Sequence, residues 1–174
     1  MTLSCSIRDI IGKRVVCLSD ASSYGTIHSV NFDNKQTAQN IIVHSIDNTT
    51  FGNTNIQTKY IDIKDIYSIG QIVVFKYPDQ VKYVWNTRYV SLNCPIGASV
   101  YSQDGELLGE LLDITLQARR IHTLLIQGNV LPNFGIISMS QDIVLVNTTN
   151  MRINTTKCTS IPKAPKQNQQ VQLH

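Results

Sequence analysis

Residues 95–113, PIGASVYSQDGELLGELLD, constrain this chain more than any other stretch. An apolar run at Val100 and Tyr101 leads into Asp104-Gly105, and a second run, Leu107, Leu108, Leu111 and Leu112, follows. Asp-Gly between two apolar runs predicts a β-hairpin, because Gly takes a positive φ at no steric cost. A looser copy lies near the start: Ile11-Gly12-Lys13-Arg14-Val15-Val16, then Ser19-Asp20, then Tyr24-Gly25-Thr26-Ile27. The chain reads as one small β-unit written twice.

Helical periodicity is nearly absent elsewhere. Short β-branched runs separated by Asn, Asp, Ser, Gly and Thr clusters predict an all-β barrel or sandwich. Strands are expected near residues 14–18, 25–32, 39–45, 59–63 and 71–76, with a longer loop over 47–58 and a tight or 3₁₀ turn over 65–70. In the second half they are expected near 99–102, 107–116, 121–127, 135–138 and 143–147. The halves align by offset. Gly12, Val15 and Val16 match Gly97, Val100 and Tyr101 at 85; Gly25 and Val30 match Gly109 and Ile114 at 84. Ile41-Ile42-Val43 matches Leu124-Leu125-Ile126 at 83, and Ser68, Ile69 and Gln71 match Ser138, Met139 and Gln141 at 70. A smooth drift is what duplication with loop deletions produces.

The expected organisation is a first unit over 1–76, a connector over 77–93, a second unit over 94–148 and a polar tail over 149–174. The connector holds Val81, Tyr83, Val84, Trp85, Tyr89 and Val90, too apolar for a free linker, so it packs as an extra strand or as the seam between the halves. Tyr83, Trp85 and Tyr89 are the candidate protein-binding residues, since an aromatic ring with one polar atom suits an interface. The tail, rich in Lys, Pro and Gln, buries too little apolar area to offset its ordering entropy and is expected to be largely disordered.

Charge is unevenly placed. Residues 1–90 hold nine Lys/Arg and seven Asp/Glu. Residues 91–150 set Arg119 and Arg120 against Asp104, Glu106, Glu110, Asp113 and Asp142, and the tail carries Arg152, Lys157, Lys163 and Lys166 with no acid. Solvated surface accounts for this, or the tail or first half lies against the acidic half of this chain or of a partner. The net charge of +3 does not by itself argue for nucleic acid. No apolar run approaches the roughly 18 residues of a membrane span. Arg8 and Asp9 interrupt the N-terminal apolar residues, so no signal peptide is read and a cytoplasmic chain is expected. Cys5, Cys17, Cys94 and Cys158 are widely spaced and are expected to be reduced thiols.

At Ile11–Val16, Tyr24–Ile27, Ile96–Tyr101, Asp104–Gly109 and Leu112–Ile114 the sequence resembles the PRC-barrel family, a small β-barrel named for the photosynthetic reaction centre. Gly before a Val-rich strand, a turn that is often Asp-Gly, and Gly-x-Val/Ile before an Asp-bearing strand carry the likeness. Asp65–Gln71 resembles the family's closing turn, and the likeness covers nearly all of residues 7–148 as two copies. Two departures stand out: Asp20-Ala21-Ser22-Ser23 replaces Asp-Gly in the first copy, and Ser140-Gln141-Asp142 replaces the Gly70 turn in the second. The resemblance implies two tandem small barrels without a catalytic constellation. Known members are docking modules: the barrel of the reaction-centre H subunit, a domain of a ribosome-maturation factor, and small proteins of sporulating bacteria and archaeal cell division. A fold shared by such different roles names a type of role only.

No catalytic, cofactor or metal site is expected. His28, His44, His122 and His174 lack ligand spacing, although His44 and His122 fall at or beside third-strand positions of the two copies. Cys17 has no local base and reads as a small core residue. Asp104, Glu106, Glu110 and Asp113 carry oxygens a hard cation wants, but Asp104-Gly105 is first a turn. The expected function is a non-enzymatic adaptor with a protein partner, a second copy of the chain included. The alternative is an RNA-processing or ribosome-assembly factor, contacting nucleic acid through Arg119, Arg120, Lys163 and Lys166. Ordinary net charge and the lack of aromatic platforms flanked by cations argue against that contact.

Overall fold

Val15 and Cys17, Val100 and Ser102, and Val144 and Val146 are buried, while Val16, Tyr101 and Leu145 between them are partly exposed. This period of two is what a pleated strand with one covered face requires. It is repeated through a computed structural model that describes residues 4–48, 54–84 and 94–149. The protein is all-β, and its two sheets curl into a half-barrel.

The chain opens with β1 (Ser4–Ser6) and one helical turn, α1 (Ile7–Ile10). The first sheet follows with β2 (Arg14–Cys17), β3 (Ser23–Phe32), β4 (Ala38–Asn48), β5 (Thr54–Asp62), β6 (Ile66–Ile69), β7 (Val73–Phe75) and β8 (Val81–Tyr83). The second comprises β9 (Ser99–Ser102), β10 (Leu107–Gln117), β11 (Arg120–Ile126), β12 (Asn129–Pro132), β13 (Ile136–Met139) and β14 (Ile143–Val146). The first sheet runs β6-β7-β2-β3-β4-β5-β8, the second β13-β14-β9-β10-β11-β12. Strand for strand the shared path is the same. Its one parallel pairing joins β2 to β7 and β9 to β14.

The correspondence extends to single hydrogen bonds. Gly12 N donates to Ile27 O and Gly97 N to Leu111 O, each at 2.8 Å. Ile27 N donates to Lys13 O and Leu111 N to Ala98 O, each at 2.9 Å. The β3–β4 ladder is bulged at Ile27/Ser29 and Asn31/Phe32, the β10–β11 ladder at Leu111/Asp113 and Thr115/Leu116. A 3₁₀ turn precedes β6 (Ile63–Asp65) and another precedes β13 (Asn133–Gly135). These pairs sit at the offsets of the sequence alignment.

Several elements differ from expectation. The tight or 3₁₀ turn expected over 65–70 lies earlier, as a 3₁₀ turn at Ile63–Asp65, and most of 65–70 is strand β6. The loop expected over 47–58 is in its described parts the ends of β4 and β5, paired as far as Asn48↔Thr54. β12 was not anticipated, because Val130-Leu131 is short and Pro132 argues against a strand; it pairs at the sheet edge, where Pro is tolerated. Of the connector, Val81–Tyr83 is an extra strand on the edge of β5.

The halves meet at two seams. The β3–β4 turn docks on the β10–β11 tip: Ala38 N donates to Arg119 O (2.7 Å) and Ile121 N to Gln36 O (3.3 Å). At the other seam β1 pairs antiparallel with the end of β10, Cys5 opposite Leu116. Behind it Asp113 accepts from Ser6 Oγ and, at 3.1 Å, from Arg8 N. Ser6 also caps α1, accepting from Asp9 N at 3.3 Å. Ile7 and Ile10 of α1 thereby join a buried cluster that includes Val15, Phe32 and Phe75 of one sheet and Val100, Leu116 and Val144 of the other. The apolar core is therefore shared.

Candidate functional site

The second sheet turns an apolar row to solvent. Cross-strand partners share a face, and Leu107 pairs with Tyr101, which pairs with Leu145. Ile143 lies on the same face two residues from Leu145 and opposite Ser99. Leu107 is 62% exposed and Ile143 47%. Acids rim the row: Asp104 and Glu106 in the hairpin turn, Glu110 opposite Ser99, and Asp142 before Ile143, all exposed. The turn is bridged from within, since Ser102 Oγ accepts from Asp104 N (3.2 Å) and Glu106 N (3.1 Å).

A cleft of about 410 Å³ opens between the halves, lined by Arg8, Ile11, His28 and Ser29 from the first and Cys94, Ile96 and Gln141 from the second. Burial raises the Cys94 thiol above its usual range; main-chain contacts from Ile96 and Val30 oppose this only in part. Burial likewise raises Cys5. Both thiols are thus poorer nucleophiles than an ordinary cysteine at neutral pH. Cys17 is fully buried, with Sγ 3.3 Å from Ser19 Oγ and 3.4 Å from Lys76 O. His28, which lines the cleft, stacks on His44, ring centroids 4.0 Å apart. Burial, and then His28, lower the His44 pKa below 6.5.

Tyr83 lies on β8, the edge of the first sheet, 44% exposed, with Lys59 Nζ 5.7 Å from its ring centroid. Trp85, Tyr89, Lys163 and Lys166 lie outside the described residues, as does the tail beyond Thr149. The Arg119 and Arg120 residues are exposed, but their backbone forms the seam: Arg119 O accepts from Ala38, and Arg120 bridges Thr37. Asp113 is an anchor for Ser6 and Arg8 as well as for Ile114 N (2.7 Å). Among the described residues no three His, Cys, Asp or Glu side chains come together to hold a metal ion. No described helix is long and apolar enough to cross a membrane.

Sequence reasoning missed the Leu107–Tyr101–Leu145–Ile143 face. Its signal was available, since the apolar residues at 107, 143 and 145 alternate with others that fill the core, but only the register puts them side by side. No family model matches the chain, and no curated protein matches it. The class defined by fold and surface is an all-β protein of two sheets with one shared core and an acid-rimmed apolar face.

Proposed function

We propose that the chain is a tandem of two PRC-barrel-like units that serves as a non-enzymatic adaptor, docking a protein partner in the bacterial cytoplasm in a setting such as sporulation or cell division. The repeated strand path and the matched bulges support the tandem reading. The observation that carries the adaptor reading is the apolar row Leu107–Tyr101–Leu145 with Ile143 beside it. Clustered apolar side chains left in water mark interaction surfaces more often than isolated ones do.

The test joins the substitutions Leu107→Asp and Ile143→Asp in one chain. Both positions are exposed, so the melting temperature should hardly move. Proteins captured from the native cytoplasm by the wild-type chain are purified and titrated back. The adaptor reading expects one of them to bind at defined stoichiometry and to lose at least about tenfold in affinity, roughly 1.4 kcal/mol, to the double variant. Binding that ignores both substitutions, or no captured protein that rebinds, would overturn it.

A further inference from the structure

The last described residue, Thr149, is tied to the acid-rimmed face. Its Oγ1 accepts from Gln103 Nε2 at 2.9 Å, and Gln103 N donates to Val146 O at 2.9 Å. Gln103 precedes Asp104 in the hairpin turn and follows Tyr101 by two residues. Residues 150–174 therefore begin beside the acids. They carry Arg152, Lys157, Lys163 and Lys166 without an acid, and Met151, Ile153 and Ile161 among them. The face offers the complement, with apolar side chains in the middle and Asp104, Glu106, Glu110 and Asp142 around them.

We propose that in the free chain this face is covered by the chain's own residues 150–174. Their cations meet the acidic rim, and Met151, Ile153 and Ile161 lie on the Leu107–Tyr101–Leu145–Ile143 row. Reach is sufficient: Arg152 comes three residues after Thr149, an extended span of about 10 Å. A weak contact suffices, because a short tether holds the segment at an effective concentration on the order of mM. The equivalent face of the first sheet does not compete. Its central row is Val16 and Val74, and the charged residues near it include Arg14 and Lys76, which repel a basic segment. Cover of this face by residues 150–174 in the free chain does not depend on an outside partner. An outside partner for this face would then have to displace a basic, aliphatic segment.

The experiment uses the full chain with methyl-labelled Leu, Ile and Met. Expected are contacts by nuclear Overhauser effect from Ile153 or Ile161 to Leu107, Leu145 or Ile143. They should be lost in a Glu106→Lys/Glu110→Lys variant and weaken when NaCl is raised from about 0.05 M to about 0.5 M, as exposed charge contacts do. Mixing differently labelled copies separates the sources: contacts within one copy support the proposal. Contacts only between copies make the face a self-interface and overturn it, as does an absence of contacts. Overturned in either way, the adaptor reading still stands or falls on its own titration with the Leu107→Asp/Ile143→Asp chain.

Discussion

The two sheets follow one path and turn different surfaces to water. At matching ladder positions the first places Thr26 where the second places Glu110, Val16 where the second has Tyr101, and Val74 where it has Leu145. His44 of the first corresponds to Gln127 of the second, and His28 to Leu112. Inward positions keep their character: Val15 with Val100, Ile27 with Leu111, Val30 with Ile114, Val73 with Val144, all nearly inaccessible. Packing holds the inward set, since a core position tolerates little change in volume or polarity. The outward set is free to diverge, and a binding surface arises there. The second sheet has spent that freedom on an apolar row with an acidic rim.

The largest effect expected from this comparison concerns two glycines at equivalent bulges. Gly25 (φ +124°) and Gly109 (φ +133°) both hold a backbone that side chains rarely adopt. A Cβ at Gly25 would collide with the carbonyl of His44, which is backbone and cannot step aside; at Gly109 it would meet Gln127 Oε1 at 3.1 Å and Ile126 Cγ2 at 3.3 Å. Gly25→Ala should cost about 3 kcal/mol or more and Gly109→Ala about 1–2 kcal/mol, strain and clash in one and mainly strain in the other. Urea denaturation of the two variants measures both. Equal costs would break the distinction.

Next in size is the asymmetry at the seam. Asp113 occupies the position that Ser29 holds in the first sheet, and its carboxylate accepts from Ser6, Arg8 and Ile114. Asp113→Ala should cost about 1–3 kcal/mol. It should also speed amide exchange over residues 4–10 before the rest of the sheet. Ser29→Ala should stay within about 1 kcal/mol. A comparable loss from both would mean the anchor is no more than local packing.

The histidine stack predicts a pH dependence confined to the first sheet. His44 has a folded pKa below 6.5, through burial first and His28 second. The folded state therefore binds its proton less readily than the unfolded state. The contribution to stability is fully present above about pH 6.5 and is lost as pH falls toward the depressed folded value. Melting curves between about pH 7.5 and pH 5 should show this loss. His44→Gln, which imports the second sheet's residue, should flatten it; an unchanged slope would place the dependence elsewhere.

The smallest effect belongs to β8, which has no equivalent among the described residues of the second sheet. Lys82 Nζ lies 2.8 Å from Asp62 Oδ2, with the lysine side chain 48% exposed. The bond to Asp62 holds the lysine pKa up. Screening leaves such pairs little net worth, so Lys82→Ala should cost about 0.5 kcal/mol or less in thermal denaturation. A larger loss would show that the pair, and not only Val81 beneath, fastens β8 to the sheet.

Much of the fold was legible. Asp104-Gly105 marked the hairpin, and the drifting offsets aligned residues that make matching hydrogen bonds, Gly12 N to Ile27 O and Gly97 N to Leu111 O. Local chemistry was enough for these, because turns and alternation are properties of short windows. β1 and α1 were missed: Ser4–Ser6 is too short to declare itself, and its partner on β10 is over a hundred residues away. β6 and β12 were missed because four residues beside a turn carry almost no periodic signal. Of the candidate site residues, Tyr83 lies on an exposed edge, and Arg119 and Arg120 help to build a seam.

What the order of residues determined by itself is the all-β strand alternation, the Asp-Gly hairpin turn and the separation of charge along the chain. Each of these rests on neighbours a few residues apart, where steric and solvation preferences act without knowledge of the rest. Only the tertiary structure decided that Ile7 and Ile10 enter a core shared with both sheets, and that Leu107, Tyr101, Leu145 and Ile143 form one face. Those outcomes depend on register and docking, and contacts between distant segments become favourable only once the whole chain has closed around them.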